Sequence, residues 1–366
     1  MQVPLMDLKA EYLDLRVEML EAIDEALTSM QLFLGPNVQA LESEFAEFCG
    51  VKHAIGCGSG TDACFFALKA AGVGPGDEVI TVSWTFIATI AAIVHTGATP
   101  VLVDIEPRHF SMDPEQVRAA ITPRTKAIMP VHIYGYPADM GPLREIAEEH
   151  GLVILEDACQ AHGASWNGQK TGTLGLIGAF SCYMSKNLGG YGEAGLLTTN
   201  DDAVADQLRL LRNHGYAGKY EHALLGYNSR LDEIQAAILR IKLDRLPASM
   251  AIRREQAAMY HQLLADTPLT LPQEDPGFEH CWYMFNTRAP RRDELAAFLA
   301  DRCIATAQHY VHPAHHQPAC APYGLNELNL PETDKASQEI LILPCHPYLS
   351  EAQIRFVAES VKEFYG

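Results

Sequence analysis

The chain has 366 residues, of which 48% are hydrophobic and 20% charged, which is typical of a folded protein of about two domains and not of a disordered chain. Its formal net charge of −19 disfavours nucleic acid and anionic membranes as partners, and no uncharged apolar run reaches the roughly 20 residues that cross a bilayer. The nine cysteines include no Cys-x-x-Cys pair, so we expect no disulfide framework, no zinc ribbon and a cytoplasmic location.

The first two thirds of the chain predict strands and helices in alternation. The buried-looking run LVILED at 152–157 is typical of a strand covered on both faces of a parallel sheet. We therefore predict a doubly wound, mostly parallel α/β domain. The predicted order is helix 40–48, strand 53–60 with a glycine-rich loop, helix 61–72, strand 75–84, helix 86–97, strand 99–105, helix 114–120, strand 125–132, helix 140–151 and strand 152–157.

The pattern changes after Asn200. A helix is predicted at 201–215, then a polar stretch, then a long helix at 234–266 with a bend near Pro247. The aromatic-rich segment HCWYMFNTR at 280–288 predicts a strand, and two more helices follow. We place a boundary near residue 246, which gives a large domain at 1–246 and a smaller C-terminal α/β domain at 247–366.

Three segments carry candidate chemistry. The first is GCGSGTDA at 56–63, where glycines after a strand lead into the positive end of a helix and so favour phosphate binding. An ordinary turn with a helix cap is the alternative. The segment lacks the Lys-Ser/Thr of a nucleoside-triphosphate loop, and Thr61 stands where a dinucleotide fingerprint needs glycine.

The second segment is LVILEDACQAHG, which delivers Glu156 and Asp157 at the carboxyl end of a strand. Open α/β sheets bind ligands at that edge. A carboxylate there either holds a proton on a cationic ring nitrogen or has the structural role of capping a helix or pairing with an arginine.

The third segment is GAFSCYMSKNLGG, in which Lys186 follows an apolar run and precedes glycines. A lysine in such a place is either solvated or held against a carbonyl cofactor as a Schiff base. Ser181 is a candidate for a phosphate contact. Phe86, after another strand, is either core or free to stack on a ring. Together these features match pyridoxal phosphate (PLP), which needs a phosphate cradle, a lysine, an acid and a flat neighbour.

Eight sequence blocks in this chain resemble those of the DegT/DnrJ/EryC1/StrS family of PLP-dependent sugar aminotransferases. They include FLGPNVQALESEFAEFCGVKHAIGCGSGTDA, EDACQAHGA, FSCYMSKNLGGYGEAG and LLGYNSRLDEIQAAIL, and they extend over nearly the whole chain. The resemblance implies the aspartate-aminotransferase fold, which is fold type I of the PLP-dependent transferases.

The resemblance also implies roles for individual residues. Lys186 is the expected Schiff-base lysine and proton shuttle, and Asp157 the partner of the pyridinium nitrogen. The other expected cofactor contacts within the same chain come from Gly60, Thr61, Phe86, Gln160 and Ser181. Asn228 of a neighbouring subunit is expected to contact the phosphate, which implies a homodimer with shared active sites. The expected substrate contacts are His162, Tyr183 and Arg230.

The expected activity is transfer of an amino group from glutamate or glutamine to a keto group of a nucleotide-linked deoxysugar. The segments CQAHG, KYEH and YNSRLDE favour carbon 3 over carbon 4 by resemblance. A keto-inositol acceptor remains an alternative, as does a PLP-binding regulatory protein without turnover. The segment HYVHPAHHQPA at 309–319 is histidine-rich, but its spacing is irregular, so we expect a loop near the sugar entrance and no metal.

Overall fold

The computed structural model describes the whole chain, Met1 to Gly366, as a mixed α/β structure. The helices are α1 (Leu8–Ser29), α2 (Pro36–Cys49), α3 (Gly60–Ala70), α4 (Ala88–His95), α5 (Pro114–Ala120), α6 (Met140–His150), α7 (Asp202–Arg212), α8 (Glu233–Leu264), α9 (Arg292–Asp301), α10 (Pro331–Glu339) and α11 (Glu351–Tyr365). None of them combines the length and apolar composition that crossing a bilayer requires.

The strands form one large sheet and three small ones. They are β1 (His53–Cys57), β2 (Glu78–Val82), β3 (Thr99–Val103), β4 (Thr125–Ile128), β5 (Val153–Asp157), β6 (Ser165–Trp166), β7 (Gln169–Lys170), β8 (Ile177–Ser181), β9 (Gly195–Thr199), β10 (Tyr216–Gly218), β11 (Glu221–His222), β12 (Phe278–Glu279), β13 (Phe285–Arg288) and β14 (Ile340–Leu343).

The large sheet has the seven-strand order β1-β9-β8-β5-β4-β2-β3. Only β9 runs antiparallel to its neighbours, whereas β8, β5, β4, β2 and β3 pair in parallel. This confirms the predicted mostly parallel sheet. The carboxyl ends of its parallel strands meet at one edge, where β5 ends at Asp157 and β8 at Ser181.

Both faces of the large sheet are buried. Neighbouring side chains of β2 show this, because they belong to different hydrophobic clusters. On β2, Val79 belongs to a cluster of 21 residues with Phe66 of α3, whereas Ile80 belongs to a cluster of 22 with Leu143 of α6. Strand side chains alternate in direction, so a strand covered on both faces reads as a continuous apolar run.

A third cluster of 19 residues gathers the C-terminal elements, with Tyr260 of α8, Phe285 of β13, Leu341 of β14 and Val357 of α11. Helix α8 runs without interruption through Pro247 and links this cluster to the large sheet. The proposed boundary at residue 246 therefore falls inside a helix.

The structure corrects several predicted elements. Only Phe285–Arg288 of the predicted strand at 280–288 is a strand, because Trp282 takes a left-handed backbone conformation with φ of 51°. Helix α1 and the β10–β11 hairpin were not predicted. Helix α1 leaves Leu13 and Val17 exposed, so its apolar pattern does not mark a single buried face.

Candidate active site

A cavity of about 490 Å³ opens at the carboxyl edge of the large sheet. This volume lies in the roughly 300–1,000 Å³ range of small-molecule sites. Eight of the predicted site residues line it: Gly60, Thr61, Phe86, Asp157, Gln160, Ser181, Tyr183 and Lys186. They come from loops and strand ends that lie far apart in the sequence, and the parallel sheet brings them together.

The start of α3 forms one wall of the cavity. Ser59 caps this helix by accepting a hydrogen bond from the Asp62 N–H at 3.1 Å, and the first-turn residues Gly60 and Thr61 line the cavity. A Cβ on Gly60 would lie 2.4 Å from the Ser181 Cβ, so only glycine lets the helix approach β8 this closely. The helix N-terminus and the Ser181 hydroxyl are thus available to one anion.

Asp157 is buried, with 5% of its surface exposed, and it carries a carboxylate without a cationic side-chain partner. One carboxylate oxygen accepts the Thr89 hydroxyl at 2.7 Å, and the other accepts the Cys159 N–H at 3.2 Å. No helix follows β5 directly, so Asp157 does not cap a helix. Its only contact of that kind is the one with the Cys159 N–H in the following turn. A buried carboxylate normally needs a cation, which here has to come from a ligand.

Lys186 is half-buried in the same cavity and forms no ion pair. Its Nζ lies 4.6 Å from the centre of the Tyr283 ring. An amine that is held against an aromatic face without a carboxylate is free to react with a carbonyl group.

Phe86 and Gln160 lie at different depths of the cavity. Phe86 is 58% exposed although it is a large aromatic residue, so its ring is free to stack on a flat ligand. Gln160 is buried, with its Oε1 accepting the Tyr134 N–H at 2.8 Å and its Nε2 donating to the Tyr310 hydroxyl at 3.3 Å.

Sequence reasoning missed several residues of the cavity wall. Thr89, Glu193, Tyr283, His309 and Tyr310 all line it. Burial, and then the positive charge of Lys186, lower the pKa of His309, which favours a neutral imidazole there. Thr89 lies at the start of α4, only three residues after Phe86, so the motif around Phe86 could have indicated it. Tyr283, His309 and Tyr310 lie far from these motifs in the sequence, and the tertiary fold brings them to the cavity.

Three predicted site residues do not reach this cavity. His162 is fully buried between the rings of Phe45 and Phe180, and neither ring nitrogen has a hydrogen-bond partner. Burial, followed by the charge of Lys186, lowers its pKa to about 3. This position does not support a direct substrate contact, because a ligand in the cavity cannot touch a fully enclosed side chain.

Asn228 and Arg230 lie on the loop before α8, outside the cavity of their own chain. Asn228 is exposed, and its backbone forms a bridge with Asn213. Arg230 donates to the Asn213 side-chain oxygen at 3.3 Å and covers the Phe33 ring at 4.5 Å. Neither residue lines the cavity of its own chain.

The DegT/DnrJ/EryC1/StrS aminotransferase family model matches residues 14–362. The chain belongs to this family. Among the relatives of this DegT-family chain is a protein of Streptomyces venezuelae named dTDP-3-amino-3,4,6-trideoxy-alpha-D-glucose transaminase, which is 46% identical over 99% of this chain and 96% of the relative. Another is a Geobacillus stearothermophilus protein named pleiotropic regulatory protein, 48% identical over 100% of this chain and 99% of the relative.

Solved structures of similar proteins agree with this membership. The S. venezuelae aminotransferase DesV, crystallised with a ketimine intermediate, superposes with a TM-score of 0.97 at 46% identity, covering 100% of this chain and 98% of DesV. NtdA from Bacillus subtilis, with bound cofactor PMP, gives a TM-score of 0.89 at 30% identity, covering 96% of this chain and 82% of NtdA. This DegT-family chain is a PLP-dependent aminotransferase with the fold of these enzymes.

The residues in the cavity fit PLP. The carboxylate of Asp157 lacks a cation, the amine of Lys186 lacks an acid, and the start of α3 offers unpaired N–H groups beside Ser181. When bound, PLP supplies an aldehyde that takes up amino groups and a protonated ring that accepts electrons.

Proposed function

We propose that this aminotransferase moves an amino group from glutamate or glutamine to a keto group, at carbon 3, of a nucleotide-linked keto-deoxysugar. The observation that carries the proposal is the pairing of Lys186 and Asp157 in one cavity, each without an ionic partner from the protein. The acceptor class is inferred from the S. venezuelae relative, whose name specifies a 3-amino sugar.

Each residue has a distinct task in this proposal. Lys186 holds the cofactor between turnovers and moves protons to and from the substrate carbon as a general acid and base. Asp157 keeps the ring nitrogen protonated through a charge-assisted hydrogen bond, and Thr89 holds that carboxylate in place at 2.7 Å. Gly60, Thr61 and Ser181 hold the phosphate, Phe86 covers the ring, and Gln160 contacts the ring hydroxyl.

The mouth of the cavity is suited to a polar substrate. Tyr183 is 40% exposed there, and Glu193 adds a carboxylate to the lining. His309 contributes a neutral imidazole to the same wall. Hydroxyl, carboxylate and imidazole groups around one opening are suitable hydrogen-bond partners for sugar hydroxyls.

We also propose a homodimer in which Asn228 and Arg230 complete the partner's site. The exposure of Asn228, outside its own cavity, supports this arrangement. Large apolar side chains are exposed on α1 and on the segment before α8, including Leu13 at 60%, Val17 at 65% and Leu225 at 95%. These exposed apolar side chains support the proposal that a second chain covers this surface.

A panel of nucleotide-linked keto-sugars tests the acceptor class. Each sugar is incubated with the PLP-loaded protein and glutamate or glutamine, and the product is identified by mass spectrometry and by NMR of the aminated carbon. We expect amination at carbon 3 of a nucleotide-linked sugar. Amination at carbon 4, or of a keto-inositol alone, would contradict the assigned position or substrate class, respectively.

A regulatory role without turnover is the second candidate, because one relative is named a pleiotropic regulatory protein. The same panel separates the two functions. Complete lack of amination of every acceptor, by a protein that binds PLP, would favour regulation.

A further inference from the structure

A second polar cluster lies outside the cavity, where two neighbouring histidines meet helix α10. His315 and His316 form part of a short 3-10 helix at Ala314–His316. The Nε2 atom of His316 lies 2.8 Å from a carboxylate oxygen of Asp334, and the Nε2 atom of His315 lies 3.4 Å from that same oxygen. The three potential ligand atoms all lie within 4.8 Å of one another.

His315 is oriented as a metal ligand would be. It is fully buried, and its Nδ1 lies 2.6 Å from the Ser83 hydroxyl, whereas its buried Nε2 has no hydrogen-bond partner. When Nδ1–H donates to Ser83, Nε2 carries a free lone pair, and the Asp334 carboxylate oxygen lies 3.4 Å from it. Metal-binding histidines are commonly oriented by such a contact at the other ring nitrogen.

The backbone around all three side chains is anchored. The Ser83 hydroxyl accepts the His315 N–H at 3.0 Å, and the Ser83 carbonyl accepts the Ala314 N–H at 3.1 Å. On the other side, the buried Asp104 accepts the N–H groups of Glu332 and Thr333, each at 2.8 Å, and so fixes the start of α10. The backbone segments that carry the three groups are therefore held in place before any ligand arrives.

The charge of the cluster also favours a cation. The carboxylate of Asp334 forms no contact with a lysine or arginine, and its charged-group neighbours are the two imidazoles. His316 is 51% exposed, so the cluster is open to solvent on one side.

We propose that His315, His316 and Asp334 form a binding site for a divalent transition metal, with Zn²⁺ as the preferred ion. Two imidazoles and one carboxylate, with water in the fourth position, are a common zinc donor set. The bound ion would join the 314–316 segment to α10. Ser83, which orients His315, lies two residues before Thr85 of the cavity wall, so the ion would brace that wall from outside.

The spacing of the histidines alone does not predict this site. Pro313 interrupts the histidine-rich segment, and the third ligand comes from residue 334 on a separate helix. Without a metal, the same contacts place the His316 ring against the Asp334 carboxylate and leave Nε2 of His315 unsatisfied.

Zinc titration of the intact, PLP-loaded protein tests the proposal. The protein is first treated with a chelator and then titrated with Zn²⁺ alone, while calorimetry gives the stoichiometry and a thermal melt gives the stability. We expect one Zn²⁺ per chain and a rise in melting temperature. The variants His316→Gln and Asp334→Asn should each weaken binding more than about tenfold and lose that rise.

His312→Gln is the matched control, because His312 is an exposed histidine of the same segment that lies outside the cluster. It should bind zinc as the unaltered protein does. Ser83→Ala should weaken binding by about 10- to 100-fold, the effect expected when an orienting partner is removed. Absence of stoichiometric zinc, or equal loss of binding in His312→Gln and Asp334→Asn, would overturn the proposal.

Discussion

Two adjacent carboxylates at the end of β5 have opposite environments. Glu156 is fully buried on one face of the sheet, where it accepts the N–H groups of Gly172, Leu174 and Gly175. Asp157 is turned to the other face and reaches the cavity. Because successive strand residues point to opposite faces, one acid has a structural role and the other is left for the ligand.

The first prediction concerns Asp157→Asn, which keeps the size of the side chain but removes its charge. The ring nitrogen of the cofactor then loses its anionic partner. A loss of roughly 3–4 kcal/mol in transition-state stabilisation would lower turnover by about 100- to 1000-fold. PLP should still bind through Lys186 and the phosphate contacts. Steady-state kinetics and the melting temperature are measured together.

Glu156→Gln is the control for that variant. It should lower the melting temperature, since three backbone N–H groups lose a charged acceptor, but the folded fraction should keep its turnover. A fully active but less stable Asp157→Asn protein would remove Asp157 from the mechanism.

At the scale of single residues, the sequence predicted the reactive groups better than their surroundings. Lys186, Asp157 and Phe86 belong to local motifs, and the structure places all three in one cavity. His162 also stands in a motif, yet it is enclosed by Phe45 and Phe180. Whether a side chain faces a cavity or the core depends on packing, which the local sequence does not specify.

At the scale of elements, the alternation of strands and helices predicted the sheet, because both faces of each parallel strand are apolar. The prediction failed where tertiary contacts set the backbone. The sequence of residues 281–284 predicts a strand, but these residues do not pair with β14. The Cys281 N–H donates instead to the Gly135 carbonyl. The tertiary contacts override the β-propensity of these aromatic residues.

The second prediction tests the contact between α3 and β8. Gly60→Ala places a methyl group where a Cβ would lie 2.4 Å from the Ser181 Cβ, so the helix start and the strand end must separate. Overpacking of this kind costs about 1–3 kcal/mol. If that cost falls on the phosphate cradle, PLP binding weakens by about 5- to 150-fold.

Gly74→Ala is the matched control, since nothing lies within 4 Å of a Cβ at that position. PLP affinity, measured by titration of each apo-protein, should fall for Gly60→Ala alone. Equal PLP affinities in the two variants would show that the start of α3 is not part of the phosphate site.

At the scale of the whole molecule, the proposed dimer predicts complementation between inactive chains. Lys186→Ala and Asn228→Ala chains are mixed after reversible dissociation. A hybrid dimer then contains one site with both native residues, and random pairing should restore about one quarter of the original activity. Mixing Lys186→Ala with Asp157→Ala should restore none, because both residues come from the same chain. Absence of activity in the first mixture would contradict a shared site.

The fourth prediction concerns acid stability. Burial lowers the pKa of His162 and of His280 to about 3, whereas the unfolded chain protonates both below about pH 6.5. Because the unfolded state binds more protons between these values, stability falls as the pH is lowered through that range. Each histidine contributes a slope approaching about 1.4 kcal/mol per pH unit.

Denaturant unfolding at pH 7 and pH 5 measures this effect. His162→Leu should reduce the pH dependence of the unfolding free energy by nearly the slope that one histidine contributes. His312→Gln should leave that pH dependence unchanged. The same slope in His162→Leu as in the unaltered protein would show that this imidazole is not buried in its neutral form.

Borohydride reduction of the PLP-loaded protein tests most directly whether this cavity is the cofactor site. Reduction converts the bond between the cofactor aldehyde and a lysine into a stable one, and peptide mapping by mass spectrometry then identifies the lysine. We predict the added mass on the peptide that contains Lys186 and on no other, and its loss in Lys186→Ala. Labelling of another lysine, such as the exposed Lys126, would contradict the assignment of this cavity as the active site.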